Sequence, residues 1–193
     1  MALVSDTNKL IFIHIPKCAG GSVGNAIRSI DPNTSEINTN IMITKNKHAT
    51  MDDCKHFLSY TKYNEYQKFA VIRNPWDRAS SWYHFRMQRT PNPEEKKLNF
   101  VDWLKTYAHN PWEDTWFGPS TQQIRWLNVD TVQLIRYENL QEELKNIGLM
   151  LSTKRVHETK NFHMDYRDMY NDESKALVDH MYKNDIDTFN YTF

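Results

Sequence analysis

The stretch LIFIHIPKCAGGS, Leu10 to Ser22, constrains the fold more than any other part of the chain. Leu10, Ile11, Phe12 and Ile13 form a short run of β-branched, aliphatic and aromatic residues with no polar alternation, the pattern of a strand buried on both faces in a parallel sheet. Pro16 ends that pattern. Gly20 and Gly21 let the backbone approach a ligand closely, and Ser22 is placed to cap a helix carrying Val23, Ala26, Ile27 and Ile30. A helix opening from a glycine turn presents unpaired N–H groups and the positive end of its dipole, which favours an anion. Lys17 adds a full positive charge beside it.

A second strand-turn-helix signal lies in FAVIRNPWDRASSWYHFR, Phe69 to Arg86. The apolar run Phe69 to Ile72 stops at Arg73, Asn74 is a good N-cap, Pro75 suits the first helical position, and Asp77 complements the helix dipole. Trp76, Ala79, Tyr83 and Met87 then recur at helical spacing. A third buried strand, Thr131 to Ile135, ends at Arg136 and Glu138, read as a charge pair, and is followed by a helical pattern at Leu140, Leu144, Ile147 and Leu151. Further helices are expected around Met51, Cys54, Phe57 and Leu58, with Thr50 as N-cap ahead of Asp52 and Asp53. Two more follow around Phe100, Trp103, Leu104 and Tyr107 and around Leu177, Val178, Met181 and Tyr182. Asp31 to Asn40 reads as a surface loop, Ile41 to Ile43 as a short strand, and Pro111 to Pro119 as an aromatic-rich loop with Trp112, Trp116 and Phe117. Strands alternating with helices call for βαβ units, so the expected fold is α/β, a small parallel sheet flanked by helices.

At 193 residues, one well-buried domain is expected. Lys plus Arg and Asp plus Glu are each 24, so the basic excess typical of nucleic-acid binders is missing. The N-terminal residues lack a basic segment followed by an apolar run, and no stretch approaches the roughly 20 apolar residues of a membrane span, so a soluble, cytoplasmic protein is expected. Cys18 and Cys54 are the two cysteines, without metal-ligand spacing to a histidine cluster.

The loop chemistry narrows by comparison. Nucleoside-triphosphatase loops place the lysine after the glycines and follow it with Ser or Thr, whereas Lys17 precedes Gly20 and Gly21. The later strands end in Arg73 and Arg136, not in the Asp that would hold Mg²⁺. A cysteine phosphatase would need an Arg six residues after Cys18, and that position is Gly24. An anion held by Lys17 and the turn, with a second cationic locus at Arg73, is what these residues support. IPKCAGGS resembles the 5′-phosphosulfate loop of sulfotransferases that use 3′-phosphoadenosine 5′-phosphosulfate (PAPS), and VIRNPWDRASSWY resembles their 3′-phosphate motif. Similarity to the carbohydrate sulfotransferase branch extends through RYENL (Arg136 to Leu140), HMDYRDMY (His163 to Tyr170) and NDIDTFNYTF (Asn184 to Phe193).

The resemblance implies a P-loop-like sulfotransferase fold, PAPS as cofactor, PAP as its released form, no metal, and a hydroxyl-bearing acceptor, in this branch a saccharide. It assigns Lys17 to the 5′-phosphate and bridging oxygen, with Cys18, Ala19, Gly20, Gly21 and Ser22 cradling the phosphosulfate. Arg73 and Ser81 take the 3′-phosphate, and Lys160, Tyr166 and Arg167 are further candidates for the 3′-phosphate or adenine. Cys18 stands where relatives often have Thr, and Thr159 where an Asn is common. Among eight histidines, His48 resembles the family's HisXaaThr segment and is the candidate base, Lys17 being the other catalytic candidate. His14, on a strand, reads as a core histidine, while His157 and His163 lie in a polar segment. A PAPS-binding module without chemistry and a divergent small-molecule kinase are the alternatives.

Overall fold

The computed structural model describes residues 1–37, 48–90, 92–108, 118–152 and 165–193. They fall into two compact units, residues 1–73 with 123–157 and residues 74–122 with 158–193. Among the described residues no helix is long and apolar enough to cross a membrane. The expected strand at Ile41 to Ile43 and the aromatics Trp112, Trp116 and Phe117 lie outside the described residues.

The first unit is built on a five-stranded sheet in the order β3-β1-β2-β4-β5, comprising β1 (Ala2–Ser5), β2 (Leu10–Ile13), β3 (Ser35–Ile37), β4 (Gln67–Ile72) and β5 (Gln133–Arg136). The three strands expected from apolar runs form its parallel half, β4 pairing in parallel with β2 and with β5. The register sets Phe12 beside Phe69, whose rings stack 5.1 Å apart, a contact worth about 0.5–1.5 kcal/mol beyond its burial. The expectation of a wholly parallel sheet is corrected on the other side, where β1 runs antiparallel to both β2 and β3. Only four residues, 6–9, separate β1 from β2. That length closes a hairpin and is far too short for a parallel crossover, and Lys9 takes a left-handed φ of 51° within it. β3 lies inside the segment 31–40 read as a loop. Its polar, exposed Ser35 and Glu36 gave no apolar signal, and Ile37 alone turns inward.

Helix α1 (Gly20–Ile30) buries Val23, Ala26 and Ile27 as expected, but it starts ahead of Ser22. Ala19 is the N-cap, and Ser22 sits within the first turn without a capping role. In α2 (Met51–Phe57), Thr50 closes a capping box with Asp53; Met51 and Cys54 are buried, while Phe57, expected on the buried stripe, is exposed. A short α3 (Tyr60–Glu65), capped by Ser59, leads into β4. After β5 comes α6 (Leu140–Asn146), which buries Leu140 and Leu144. It ends before the expected Leu151 because Gly148 adopts φ 78° and Leu149 N donates to the Leu144 carbonyl at 2.9 Å, a left-handed C-terminal turn that puts Leu149 into the core instead.

The second unit is helical, with α4 (Pro75–Arg89), α5 (Phe100–Ala108), α7 (Asp172–Met181) and α8 (Lys183–Phe189). The start of α4 follows the sequence expectation, since Asn74 Oδ1 accepts from the N–H groups of Trp76 at 3.0 Å and Asp77 at 3.4 Å, with Pro75 in the first turn. Of the expected stripe, Trp76 and Ala79 are buried, and Tyr83 and Met87 are half-buried. All four apolar positions expected in α5 are buried, and Trp103 is fully enclosed.

Beside Trp103 lies the carboxylate of Glu95, 8% exposed. Glu95 accepts from Arg86 Nε and Nη2 at 2.8 and 2.6 Å, Thr90 Oγ1 at 2.5 Å, Trp103 Nε1 at 3.2 Å and Tyr107 OH at 3.1 Å. Burial pushes its pKa up, but the donors, led by Arg86, outweigh burial and bring it from 4.5 to about 2. A carboxyl whose folded pKa lies below its unfolded one stabilises the protein fully above the unfolded value, and that contribution is lost as pH falls through the folded one. The size is about 3 kcal/mol. Glu95→Gln is therefore expected to lower stability at neutral pH by about 3 kcal/mol. Denaturant titrations between pH 5 and pH 2 should also show a shallower acid-induced loss in the variant than in the parent; equal slopes would remove Glu95 from the acid response.

Candidate active site

The turn between β2 and α1 carries two left-handed residues that are not glycine, Lys17 at φ 67° and Ala19 at φ 56°. Each such residue costs roughly 1–3 kcal/mol, and strain of this kind concentrates at ligand-binding and catalytic loops. The first turn of α1 that follows has no side-chain cap and no acidic residue. Its amides at Gly20, Gly21 and Ser22 thus form a helix N-terminus with no built-in anion of its own.

Arg73 lies immediately beyond the carboxyl end of β4, beside the strand that leads to Lys17. Its side chain is 5% exposed, its Nη1 donates to the Lys17 carbonyl at 3.0 Å, and its guanidinium lies over the Tyr137 ring at 4.1 Å. A backbone acceptor and an aromatic face thus help to orient the fork. Its main chain is fixed as well. Gln123 Oε1 accepts from Arg73 N at 2.9 Å while Gln123 Nε2 donates to the Arg73 carbonyl at 2.8 Å. The Cys18 thiol lies 3.2 Å from the same Oε1 and 3.6 Å from the Pro16 carbonyl. Gln123 is fully buried, so one side-chain amide joins the lysine loop to the Arg73 strand end.

Gly20 has a different role from the one its sequence context suggests. A Cβ at this position would fall 1.9 Å from Cδ2 and Nε2 of His14. The missing side chain makes room for an imidazole, so here it is this protein's own ring that approaches the backbone closely. Burial, first, and the neighbouring His48 lower the His14 pKa to about 3, which leaves the ring neutral at ordinary pH. His48 meets it edge to face with centroids 4.7 Å apart, and His48 Nδ1 lies 3.1 Å from the His14 carbonyl oxygen. The capping box of Thr50 and Asp53 fixes the chain just beyond His48.

The first unit thus brings together the loop Lys17 to Ser22, Arg73 and, through His14, His48. The other predicted residues belong to the second unit or lie outside the description. Ser81 is buried on α4, one residue after Ser80, whose hydroxyl contacts Met169 Sδ at 3.1 Å. Tyr166 and Arg167 open a 3₁₀ turn, Tyr166–Met169, where the Arg167 guanidinium stacks at 4.5 Å on Tyr166 and pairs with Asp165 at 3.3 Å. Lys160, with His157, Thr159 and His163, lies outside the described residues. Gln123, Tyr137 and the coupling of His14 to Gly20 were missed by sequence reasoning. Gln123 sits in a short 3₁₀ segment, Gln123–Trp126, with no periodic pattern to flag it.

The arrangement can hold a polyanion between a lysine, a helix N-terminus and an oriented arginine, with an imidazole linked to the same loop. No curated protein and no solved structure matches the chain. The family model described as the Sulfotransferase family does match, over residues 1–192, and with the strand ends, loop and arginine in place the chain belongs to the sulfotransferase family.

Proposed function

We propose that this protein transfers a sulfuryl group from PAPS to a hydroxyl of a saccharide acceptor. One observation carries the reading: two cationic residues, Lys17 and Arg73, stand at the carboxyl ends of adjacent parallel strands and are tied by the 3.0 Å bond from Arg73 Nη1 to the Lys17 carbonyl. In open α/β sheets, ligands sit at that edge. The residues fit a phosphosulfate, since the strained turn at Lys17 and Ala19 leads into an α1 first turn with neither cap nor carboxylate. The branch resemblance supplies the saccharide class. The same resemblance assigns Ser81 to the 3′-phosphate with Arg73, and Lys160, Tyr166 and Arg167 are candidates for the 3′-phosphate or adenine.

The bound donor supplies a sulfuryl group on a phosphate leaving group. His48 takes the proton of the acceptor hydroxyl, whose oxygen forms the new bond to sulfur. As the bond from sulfur to the bridging oxygen breaks, its electron pair stays on that oxygen, and Lys17 meets the charge that grows there. The amides of Ala19, Gly20, Gly21 and Ser22, with Cys18 holding the turn from inside, keep donors aimed at the same place without reorganisation, which lowers the barrier.

Lys17→Ala is expected to lower kcat by about 10²–10³-fold while changing the Kd for PAP much less, measured with sulfur-labelled PAPS and by calorimetry. His48→Ala should abolish transfer and leave PAP binding intact; near-normal turnover removes His48 from the mechanism. Gln123→Leu strands two buried backbone groups and is expected to lose about 2–5 kcal/mol of stability together with PAP affinity; unchanged Tm and Kd would show that the amide bridge does not hold the loop. Calorimetry with PAP, ATP and ATP plus Mg²⁺ tests the donor class, and preference for ATP with metal overturns the sulfotransfer reading.

A further inference from the structure

The mechanism above needs an imidazole nitrogen of His48 free of its proton, and the surroundings of that ring decide which nitrogen this is. A backbone carbonyl oxygen only accepts hydrogen bonds. The 3.1 Å contact between His48 Nδ1 and the His14 carbonyl is therefore made by an Nδ1–H. That holds for neutral and for protonated His48 alike, because Nδ1 carries a proton in both. The nitrogen that gains and loses the proton is Nε2.

The carbonyl cannot do this unless the ring is kept in place, and His14 also supplies the packing. Its imidazole is wedged against Gly20, where a Cβ would lie 1.9 Å away, it runs nearly parallel to Phe12 at 6.0 Å, and it presents itself at 87° to the His48 ring. The ring's contacts on three sides fix it against the strand, the first residue of α1 and the base. Because His14 stays neutral, it adds no like charge beside a protonated His48. We propose that His14 is the positioning residue of the active site, its carbonyl fixing His48 in the Nδ1–H tautomer and its ring holding His48 Nε2 ready to take the acceptor proton. This rests on the sulfotransfer reading for its functional half only; the tautomer is a property of the free protein.

The test separates the two. Long-range ¹H–¹⁵N spectra of the ¹⁵N-histidine-labelled free protein, with the His48 signals assigned by their loss in His48→Asn, are expected to show a protonated Nδ1 and an unprotonated Nε2. His14→Ala should mix the tautomers and lower kcat by about tenfold or more, with the KM for PAPS and the Kd for PAP within about twofold of the parent, since base positioning contributes to the chemical step rather than to donor binding. His14→Phe, which keeps an aromatic wedge and the carbonyl, should restore the Nδ1–H tautomer and most of the lost turnover. An Nε2–H tautomer in the parent protein overturns the proposal even if no His14 variant folds, and so does a His14→Ala protein with unchanged tautomer and kcat. If the parent transfers sulfate to no acceptor, the functional reading fails while the tautomer measurement still decides the structural half.

Discussion

Parallel pairing of β2 with β4 in a single register is the constraint on which the rest of the first unit depends. It is the pairing that sets the turn after Ile13 beside the turn after Ile72, so that a lysine and an arginine far apart in the chain share one sheet edge. The stacked Phe12 and Phe69 pin that register. A slip of one residue would turn every side chain of β2 to the opposite face. The Gln123 amide then acts as a short piece of strand beyond the end of β4, accepting from the Arg73 N–H and donating to the Arg73 carbonyl.

What could be read from the sequence was what is local. The caps at Thr50 and Asn74, the proline opening α4 and the apolar runs of β2 and β4 depend on neighbours within a turn or two, and the structure has them where the residues indicated, whereas β5 starts at Gln133 instead of the expected Thr131 and buries Ile135 alone. The antiparallel half of the sheet was not legible for a matching reason. Ala2 to Ser5 is as short as β2, but its partner is chosen by the length of a four-residue turn, and β3 has a single inward residue to announce it.

The site shows the same division. Lys17, the glycines and Arg73 stand out because residue type and spacing carry their chemistry. Gln123 does not, because an isolated glutamine acquires meaning only from the two chain segments that fold around it. The glycines also exchanged roles. The left-handed conformations expected of glycine fall on Lys17 and Ala19, while Gly20 is small because His14 needs the room. Sequence alone shows that a glycine is needed without showing whether it makes space for a ligand or for a neighbour.

The sheet order has a consequence for how copies of this protein behave at high concentration. Among the described residues its two edges are β3, three residues long with Glu36 in an ion pair with Arg28, and β5, four residues long and ending in Arg136. The aliphatic strands that would make the most adhesive templates, β1, β2 and β4, are all interior, paired on both sides. Short charged borders give an incoming strand few backbone groups to pair with and place charge against it. The pairing that sets Lys17 and Arg73 at one sheet edge thus also leaves short, charged strands as the borders of the described sheet.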